Sequence, residues 1–220
     1  STKSVQTKPY FLSLIHQQAS KLTYLVHQLM EFRKVESGFF KNRYGYLNIS
    51  ELLQNLTEPF IPLSEQNGMD YEILIAPGIN GWMDKDKLEK IVFNLLSNAF
   101  KHAGNKERII FSAEENKQEG SLEISVSNSG CALKPEELDK LFDKFYVAGT
   151  QTAGGAKPGT GIGLAFARQM VGLLNGRIEA FNESGWISFK VQVPLKTADQ
   201  LPASSEKNHR VSGNPSYLFR

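Results

Sequence analysis

The sequence predicts an α+β fold, a two-layer α/β sandwich preceded by a long helix of the kind that packs in a bundle. Three observations predict it. The first segment has an apolar heptad pattern, several strand-like stretches follow one another as hairpins, and the helices between strands give no regular β-α-β alternation. Strands without that alternation favour a sandwich over a doubly wound parallel sheet. The 220 residues, 40% of them hydrophobic, suffice for one such domain with an attached element.

The segment from Tyr10 to Val35 has the apolar spacing of a helix in a bundle or coiled coil. Leu14, Leu25 and Met30 lie beside the apolar seam of this helix and widen its apolar face. A wide apolar face favours a four-helix bundle over a two-stranded coil. A dimer that contributes two helices per chain would complete such a bundle, and this sequence supplies one. The seam itself recurs at spacings of 3, 4, 3, 4 and 3 through Leu12, Ile15, Ala19, Leu22, Val26 and Leu29.

The sandwich is predicted after Gly38, where the heptad pattern stops. Asp84 is expected to cap a strongly amphipathic helix that ends near His102. The last strand alternates cleanly between apolar and polar residues. In chain order we expect a strand at 44–47, a helix at 50–67, a strand at 71–75, the capped helix, strands at 108–113 and 122–128, a helix from about Thr160 to Leu174, and strands at 177–181 and 186–193.

Composition excludes several classes of function. The 25 basic and 23 acidic residues are nearly balanced, so the charge gives no electrostatic footprint for nucleic acid. Cys131 is the one cysteine, which rules out an internal disulfide and a cysteine-rich metal site and suits a cytoplasmic protein. No apolar run approaches the roughly 20 residues of a membrane span, and no leader pattern opens the sequence. We therefore expect neither anchor nor export signal here.

Four polar residues form a stripe on the helix that follows Asp84. They are Asn94, Asn98, Lys101 and His102, at i, i+4, i+7 and i+8. Two amides offer oxygen ligands to a hard cation, the ammonium offers charge to phosphate, and the imidazole offers a flat ring. A solvated helix face would explain the same stripe.

Two glycine-bearing segments follow strands or precede a helix. The first begins at Asn128, where a turn lets a ligand approach the backbone closely, although a plain loop would look the same. The second runs from Ala148 and ends in Gly159, Gly161 and Gly163 before an apolar helix, whose free amides favour phosphate. Neither fits a Walker loop or a dinucleotide fingerprint, since no strand leads directly into the second and its spacing differs.

The order of these features resembles the histidine-kinase type of the Bergerat ATPases, over about Leu47 to Leu195. The segment from Phe32 to Gly38 resembles the end of the second helix in the dimerisation and phosphotransfer hairpin, most similar to that of hybrid two-component sensors. Four boxes carry the resemblance: the N-box NLLSNAFKH from Asn94 to His102, the G1 box VSNSGCAL from Val126 to Leu133, the F-box LFDKFY from Leu141 to Tyr146, and the G2 box GTGIGL from Gly159 to Leu164.

The resemblance implies a protein histidine kinase that transfers the γ-phosphoryl group of ATP to a histidine, for relay to an aspartate of a response-regulator receiver domain. Asn98 would supply an oxygen to Mg²⁺, while Asn94 and Lys101 would contact phosphate or its water. These three are the expected catalytic residues. His102 would flank the adenine ring, and Asn128 would face its exocyclic amine. Further nucleotide contacts are expected at Gly130, Ala132, Leu133, Phe142, Phe145, Tyr146, Gly159, Thr160, Gly161, Ile162, Gly163 and Leu164.

The resemblance also implies a domain plan. Residues 1–38 would be a partial dimerisation helix that forms a homodimer in the intact protein, 44–196 the catalytic domain, and 197–220 a tail or linker. Phe142, Phe145 and the stretch to Pro158 would form a mobile lid. We expect the chain to be a fragment, the cytosolic part of a membrane-anchored sensor. No acceptor motif of the H-E-x-x-T-P kind occurs, and His16 and His27 lack that setting, so autophosphorylation alone is not expected.

Three positions depart from the family pattern. Asn128 stands where the G1 box usually has aspartate, and its amide could accept from a 6-amino group or flip to donate to a 6-oxo group, so we expect weaker discrimination of ATP from GTP than an aspartate would give. Ala132 replaces the second G1 glycine, and Val147 stands where a basic residue often follows. These departures keep open a non-catalytic nucleotide-sensing or scaffolding module. Asn94 stands where water-using relatives have a glutamate base, which disfavours hydrolysis.

Overall fold

The computed structural model of the protein describes residues 42–104, 106–130, 133–148 and 160–197, and the single positions 19, 23, 26 and 30. Those four positions are helical and their side chains are exposed, as in the helix predicted for that segment. The other positions of the predicted seam, the part of the predicted lid from 149 to 158, and the predicted tail beyond Thr197 lie outside the described residues. Among the residues described, no helix is both long and apolar enough to cross a membrane.

The elements occur in the predicted order. The strands are β1 (Tyr44–Asn48), β2 (Asp70–Ile75), β3 (Asn80–Asp84), β4 (Arg108–Asn116), β5 (Ser121–Ser129), β6 (Arg177–Glu183) and β7 (Trp186–Pro194). The helices are α1 (Ile49–Thr57), α2 (Ile61–Asn67), α3 (Lys85–His102), α4 (Pro135–Leu138) and α5 (Gly163–Leu173), with single 3₁₀ turns at Glu58–Phe60 and Asp139–Phe142.

Five strands form one sheet in the order β2-β4-β5-β7-β6, and β1 and β3 form a separate two-stranded sheet. The β2–β4 pair is parallel, while β4–β5, β5–β7 and β6–β7 are antiparallel. Because α3 and α5 pack against the same face of the five-stranded sheet, the described domain is the two-layer sandwich that the sequence predicts.

The core lies between those two layers. From the helix side, Leu88, Ile91 and Leu95 of α3 are fully buried, and from the sheet side Phe111 and Phe189 meet them. Each fully buried side chain of this size contributes about 1.5–3 kcal/mol relative to exposure. The predicted alternation of the last strand is confirmed, since its apolar side chains are all at most 3% exposed, namely Ile187, Phe189, Val191 and Val193.

Three local predictions were wrong. The helix predicted as continuous from Ser50 to Asn67 is broken by a 3₁₀ turn, because Pro59 and Pro62 cannot donate the helical hydrogen bond. The strand β3 was not predicted, since it is short and contains Gly81. The helix expected from about Thr160 begins three residues later, at Gly163, so the preceding turn extends to Ile162.

A buried ion pair fixes the start of α3. Asp84 caps the helix by accepting the Lys87 backbone N–H at 3.1 Å, as predicted from the sequence. Its other carboxylate oxygen accepts the Lys87 ammonium at 2.6 Å and the Arg43 backbone N–H at 2.7 Å. Both charged residues are only 2% exposed. The Asp84 carboxylate therefore links the backbone at Arg43, just before β1, to the first turn of α3, the helix that carries the polar stripe.

Candidate functional site

The predicted polar stripe lies on α3 and changes from buried to exposed along the helix. Asn94 is 7% exposed, and its Nδ2 donates to the Lys90 carbonyl oxygen at 2.7 Å. Asn98 and Lys101 are half-buried, and His102 is exposed at the last turn. The stripe is thus held at one end by the core and opens at the other, which a plain solvated helix face would not do.

The N-terminus of α5 meets the buried end of that stripe. A Cβ atom on Gly163, the first residue of α5, would lie 3.1 Å from Oδ1 of Asn94. Glycine therefore lets the first turn of α5 approach the amide of Asn94 closely. The Ile162 backbone N–H donates to the Thr160 hydroxyl at 3.4 Å, and Leu164 packs against the core. Gly159 lies outside the described residues.

The turn before α5 requires glycine at position 161. Gly161 has a φ of 64°, and a Cβ atom there would lie 2.5 Å from the carbonyl carbon of Phe145. Phe145 itself has a φ of 66°, which is unusual for a bulky residue. Its backbone N–H donates to the Gly161 carbonyl oxygen at 2.9 Å. This contact joins the F-box to the G2 box at the rim of the site.

Asn128 lies near the end of β5, the central strand of the five-stranded sheet, and is fully buried. It pairs across the ladder with Ile109 on β4 and Ile187 on β7. Its Nδ2 donates to the Ser129 carbonyl oxygen at 3.2 Å, while the described residues offer its Oδ1 no hydrogen-bond partner. Buried polar atoms are rarely left unpaired, so an acceptor without a donor marks a place where a ligand can bind.

The G1 turn continues with Gly130, whose φ is 75°. A Cβ atom at this position would lie 2.5 Å from the carboxyl carbon of Glu107, a flexible side chain that could move, so the left-handed backbone is the stronger reason for glycine here. Farther on, the Leu133 carbonyl oxygen accepts a hydrogen bond from the Asn182 side chain. Ala132 lies outside the described residues.

The two aromatic residues that we expected together in a lid have different surroundings. Phe142 is half-buried and packs edge-on against Phe189 of β7, with ring centroids 6.2 Å apart. The Arg168 guanidinium lies 5.8 Å from the centre of the Phe142 ring. Phe145 is 67% exposed. Phe142 thus belongs to the packing of the sandwich, and the exposed aromatic group at the rim is Phe145.

Electrostatics at the rim favour a neutral imidazole. Although His102 is the most exposed residue of the stripe, partial burial of its ring among neighbouring atoms and, to a smaller degree, the charge of Lys101 lower its pKa below the usual 6.5. Burial and the nearby Glu137 carboxylate raise the pKa of Tyr146, whose hydroxyl donates to Glu137 at 3.5 Å. Both rings are therefore uncharged near neutral pH.

The described residues contain no group of three His, Cys, Asp or Glu side chains placed to hold a metal ion. A divalent cation would therefore depend on amide oxygens of the stripe and on oxygens of the ligand. Mg²⁺ suits such a site, because it commonly keeps waters and takes one or two protein ligands beside substrate phosphates.

Sequence reasoning missed two residues at the G1 turn. The Ser129 hydroxyl donates to a carboxylate oxygen of Glu107 and accepts the Arg108 backbone N–H at 2.9 Å. Glu107 precedes Ser129 by 22 residues, and the contact exists because β4 and β5 pair in this register. Only that register, which the sequence does not give, would have identified the pair.

Comparisons with known proteins agree with this arrangement. The family model described as histidine kinase-, DNA gyrase B-, and HSP90-like ATPase matches residues 83–197. The sensor histidine kinase WalK of Bacillus subtilis is 28% identical over 180 residues, which cover 80% of this chain and 29% of WalK. The chain therefore spans less than a third of that relative.

Two solved structures share the fold. Full-length ShkA in complex with AMPPNP has a TM-score of 0.75 at 20% identity, over 90% of this chain and 41% of ShkA. The histidine kinase ThkA in complex with the response regulator protein TrrA has a TM-score of 0.68 at 19% identity, over 89% of this chain and 53% of the matched one. Since the family model matches just over half of the sequence, the chain belongs to the histidine kinase-, DNA gyrase B-, and HSP90-like ATPase family, and its sandwich is a histidine kinase-type catalytic domain.

Proposed function

We propose that this protein is the ATP-binding catalytic part of a two-component sensor histidine kinase. It would transfer the γ-phosphoryl group of ATP to a histidine on a dimerisation helix other than the one in this sequence. The fully buried Oδ1 of Asn128, which has no hydrogen-bond partner among the described residues, carries the proposal, because such an acceptor could receive the exocyclic amine of adenine.

The phosphates would lie between the stripe of α3 and the first turn of α5. The approach of Gly163 to Asn94 supports this, since it brings the free amides of the helix N-terminus beside the stripe. Lys101 would balance phosphate charge. Asn98 would hold Mg²⁺ through its amide oxygen, and the ion would supply neutralisation of charge on the phosphates.

The contribution of the protein to phosphoryl transfer would be positioning and charge stabilisation. An imidazole nitrogen of the acceptor attacks the γ-phosphorus, the bond to the bridging oxygen breaks, and ADP leaves. Asn94 would take no proton in this step, because an amide is not a base. Its Nδ2 donates a hydrogen bond to the Lys90 carbonyl oxygen, which fixes the orientation of the side chain. A neutral His102 suits stacking against adenine better than a charged ring.

Two partners follow from this function. A receiver domain would take the phosphoryl group onto an aspartate, as the complex of ThkA with TrrA suggests by analogy of fold. A second copy of the chain would cover the heptad helix, where Val26 is 48% and Met30 56% exposed. We place this unit in the cytoplasm, as the cysteine content suggests.

The test is a transfer assay with γ-labelled ATP, Mg²⁺ and a separately prepared dimerisation hairpin that carries the acceptor histidine. We expect acid-labile, alkali-stable label on the hairpin, lost when its histidine is replaced by alanine and when Asn98→Ala replaces the native protein. Nucleotide binding without label would favour the scaffolding module, which the departures at Asn128, Ala132 and Val147 keep as the second candidate. Steady phosphate release without an acceptor would indicate a water-using ATPase and contradict the proposal.

A further inference from the structure

The amide of Asn128 has one end that accepts hydrogen bonds and one that donates them. A free amide in the base pocket would accept from a 6-amino purine in one orientation and donate to a 6-oxo purine in the other. That ambiguity is the basis of the weaker discrimination between ATP and GTP expected from the sequence. Which end faces the base depends on what holds the other end.

The donor end is already engaged. Nδ2 of Asn128 donates to the Ser129 carbonyl oxygen at 3.2 Å, and Oδ1 has no partner among the described residues. Rotating the amide by half a turn would break that hydrogen bond and set Oδ1 against a carbonyl oxygen, so that two acceptors would face each other. This arrangement is costly, because Asn128 is fully buried and its Oδ1 could not turn to water instead.

The residue that carries this carbonyl, Ser129, is itself anchored through its side chain. The Ser129 hydroxyl donates to the Glu107 carboxylate and accepts the Arg108 backbone N–H at 2.9 Å. A hydrogen bond to a carboxylate is stronger than one between neutral groups. On the far side, Glu107 fills the space beside Gly130 that a Cβ atom would otherwise occupy. The turn is thus fixed on both sides of the carbonyl.

We propose that Glu107 and Ser129 are positioning residues that fix the amide of Asn128 with its oxygen toward the base, so that the site selects a 6-amino purine without the usual aspartate. This inference rests on the proposed nucleotide function and makes its base preference specific. It replaces that weaker discrimination with a preference for ATP over GTP that depends on Ser129 and Glu107.

The test compares the dissociation constants of non-hydrolysable ATP and GTP analogues by calorimetry. For the native protein we expect the ATP analogue to bind at least about tenfold tighter, the factor that one unpaired buried polar group produces. Ser129→Ala should shrink that ratio to within about threefold. Ser127→Ala is the matched control, a serine two residues earlier on β5 that bonds Ser188 instead, and it should leave the ratio unchanged.

A second pair of variants decides the matter if Ser129→Ala does not fold. Glu107→Leu removes the acceptor for the Ser129 hydroxyl and should reduce the ratio, whereas Glu107→Gln retains an acceptor oxygen and should preserve it. An equal loss of affinity for both analogues in Ser129→Ala and Glu107→Leu would mean a merely structural role and overturn the inference. Equal binding of both analogues by the native protein would overturn it too, with the nucleotide function intact. Binding of neither analogue would overturn the proposed function, and the inference with it.

Discussion

The backbone N–H of Phe145 donates a 2.9 Å hydrogen bond to the carbonyl oxygen of Gly161, and both residues have positive φ angles. The segment between the F-box and the G2 turn is therefore joined at its two ends. The backbones of Phe145 and Gly161 lie in close contact, because Phe145 fills the space beside Gly161. The first turn of α5 begins two residues later, so this contact also sets where the free amides of α5 lie.

Gly161→Ala should therefore weaken nucleotide binding by about tenfold or more, since the added Cβ atom would lie 2.5 Å from Phe145 and force the turn to move. Calorimetric titration with an ATP analogue measures the effect. Gly78→Ala is the matched control, because Gly78 has a φ of 76° with no atom within 4 Å of an added Cβ. Both variants carry the strain of a left-handed alanine, about 1–2 kcal/mol, and only the first should lose affinity. Equal affinity in both would contradict the role of the contact.

Lys87→Met should destabilise the sandwich by about 3–5 kcal/mol, because it leaves the Asp84 carboxylate buried without its cation. Urea unfolding gives the free energy. Lys85→Met removes an exposed ion pair with Glu89 on the same helix and should cost about 0.5 kcal/mol or less. The double variant Asp84→Asn with Lys87→Met should recover much of the loss, since no buried charge remains. If the two lysine substitutions lowered the free energy of unfolding equally, the buried ion pair would contribute no more to stability than the exposed one.

The periodic elements could be predicted from the sequence, and the contacts that depend on strand register could not. The buried face of α3 and the alternation of β7 follow from spacing alone. The strand β3 escaped prediction because five residues that include a glycine carry too little pattern, although β1 pairs with all of it. Pro59 and Pro62 could have signalled the break between α1 and α2.

For the site, the boxes identified the residues that the fold brings together, Asn94 beside Gly163 and Phe145 beside Gly161. What they could not give is the state of each side chain. That Oδ1 of Asn128 has no partner among the described residues depends on a hydrogen bond within the folded turn. The hydrogen bond between Ser129 and Glu107 joins residues 22 positions apart through the pairing of β4 with β5.

Lys101→Met should raise the pKa of His102, measured by NMR titration of the imidazole, because it removes a neighbouring positive charge. The pKa should stay below 6.5, since burial is the larger cause. A His whose pKa is lowered in the folded state contributes stability that is present above the unfolded pKa and declines as pH falls through the folded pKa. We therefore expect stability to fall below about pH 6.5 in the native protein and less so in His102→Gln. An unchanged pKa in Lys101→Met, as expected for the distant Lys85→Met, would contradict this reading.

Val26→Asp should reduce self-association of the chain, measured as mass by sedimentation equilibrium. Val26 is helical, 48% exposed and part of the predicted heptad seam, where a charge would oppose burial against a second copy. Gln17→Asp is the control, because the heptad pattern puts position 17 on the side opposite the seam. A mass unchanged by Val26→Asp in a protein that does associate would count against the bundle.

Calorimetric titration with a non-hydrolysable ATP analogue shows whether α3 presents a magnesium-dependent nucleotide site. The native protein and Asn98→Ala are each titrated with and without Mg²⁺. We expect Mg²⁺ to tighten binding to the native protein by about tenfold or more, and Asn98→Ala to lose that gain while retaining the weaker, metal-free binding through Asn128. Equal affinity with and without Mg²⁺, or an Asn98→Ala variant that keeps the full gain, would contradict a magnesium site at Asn98.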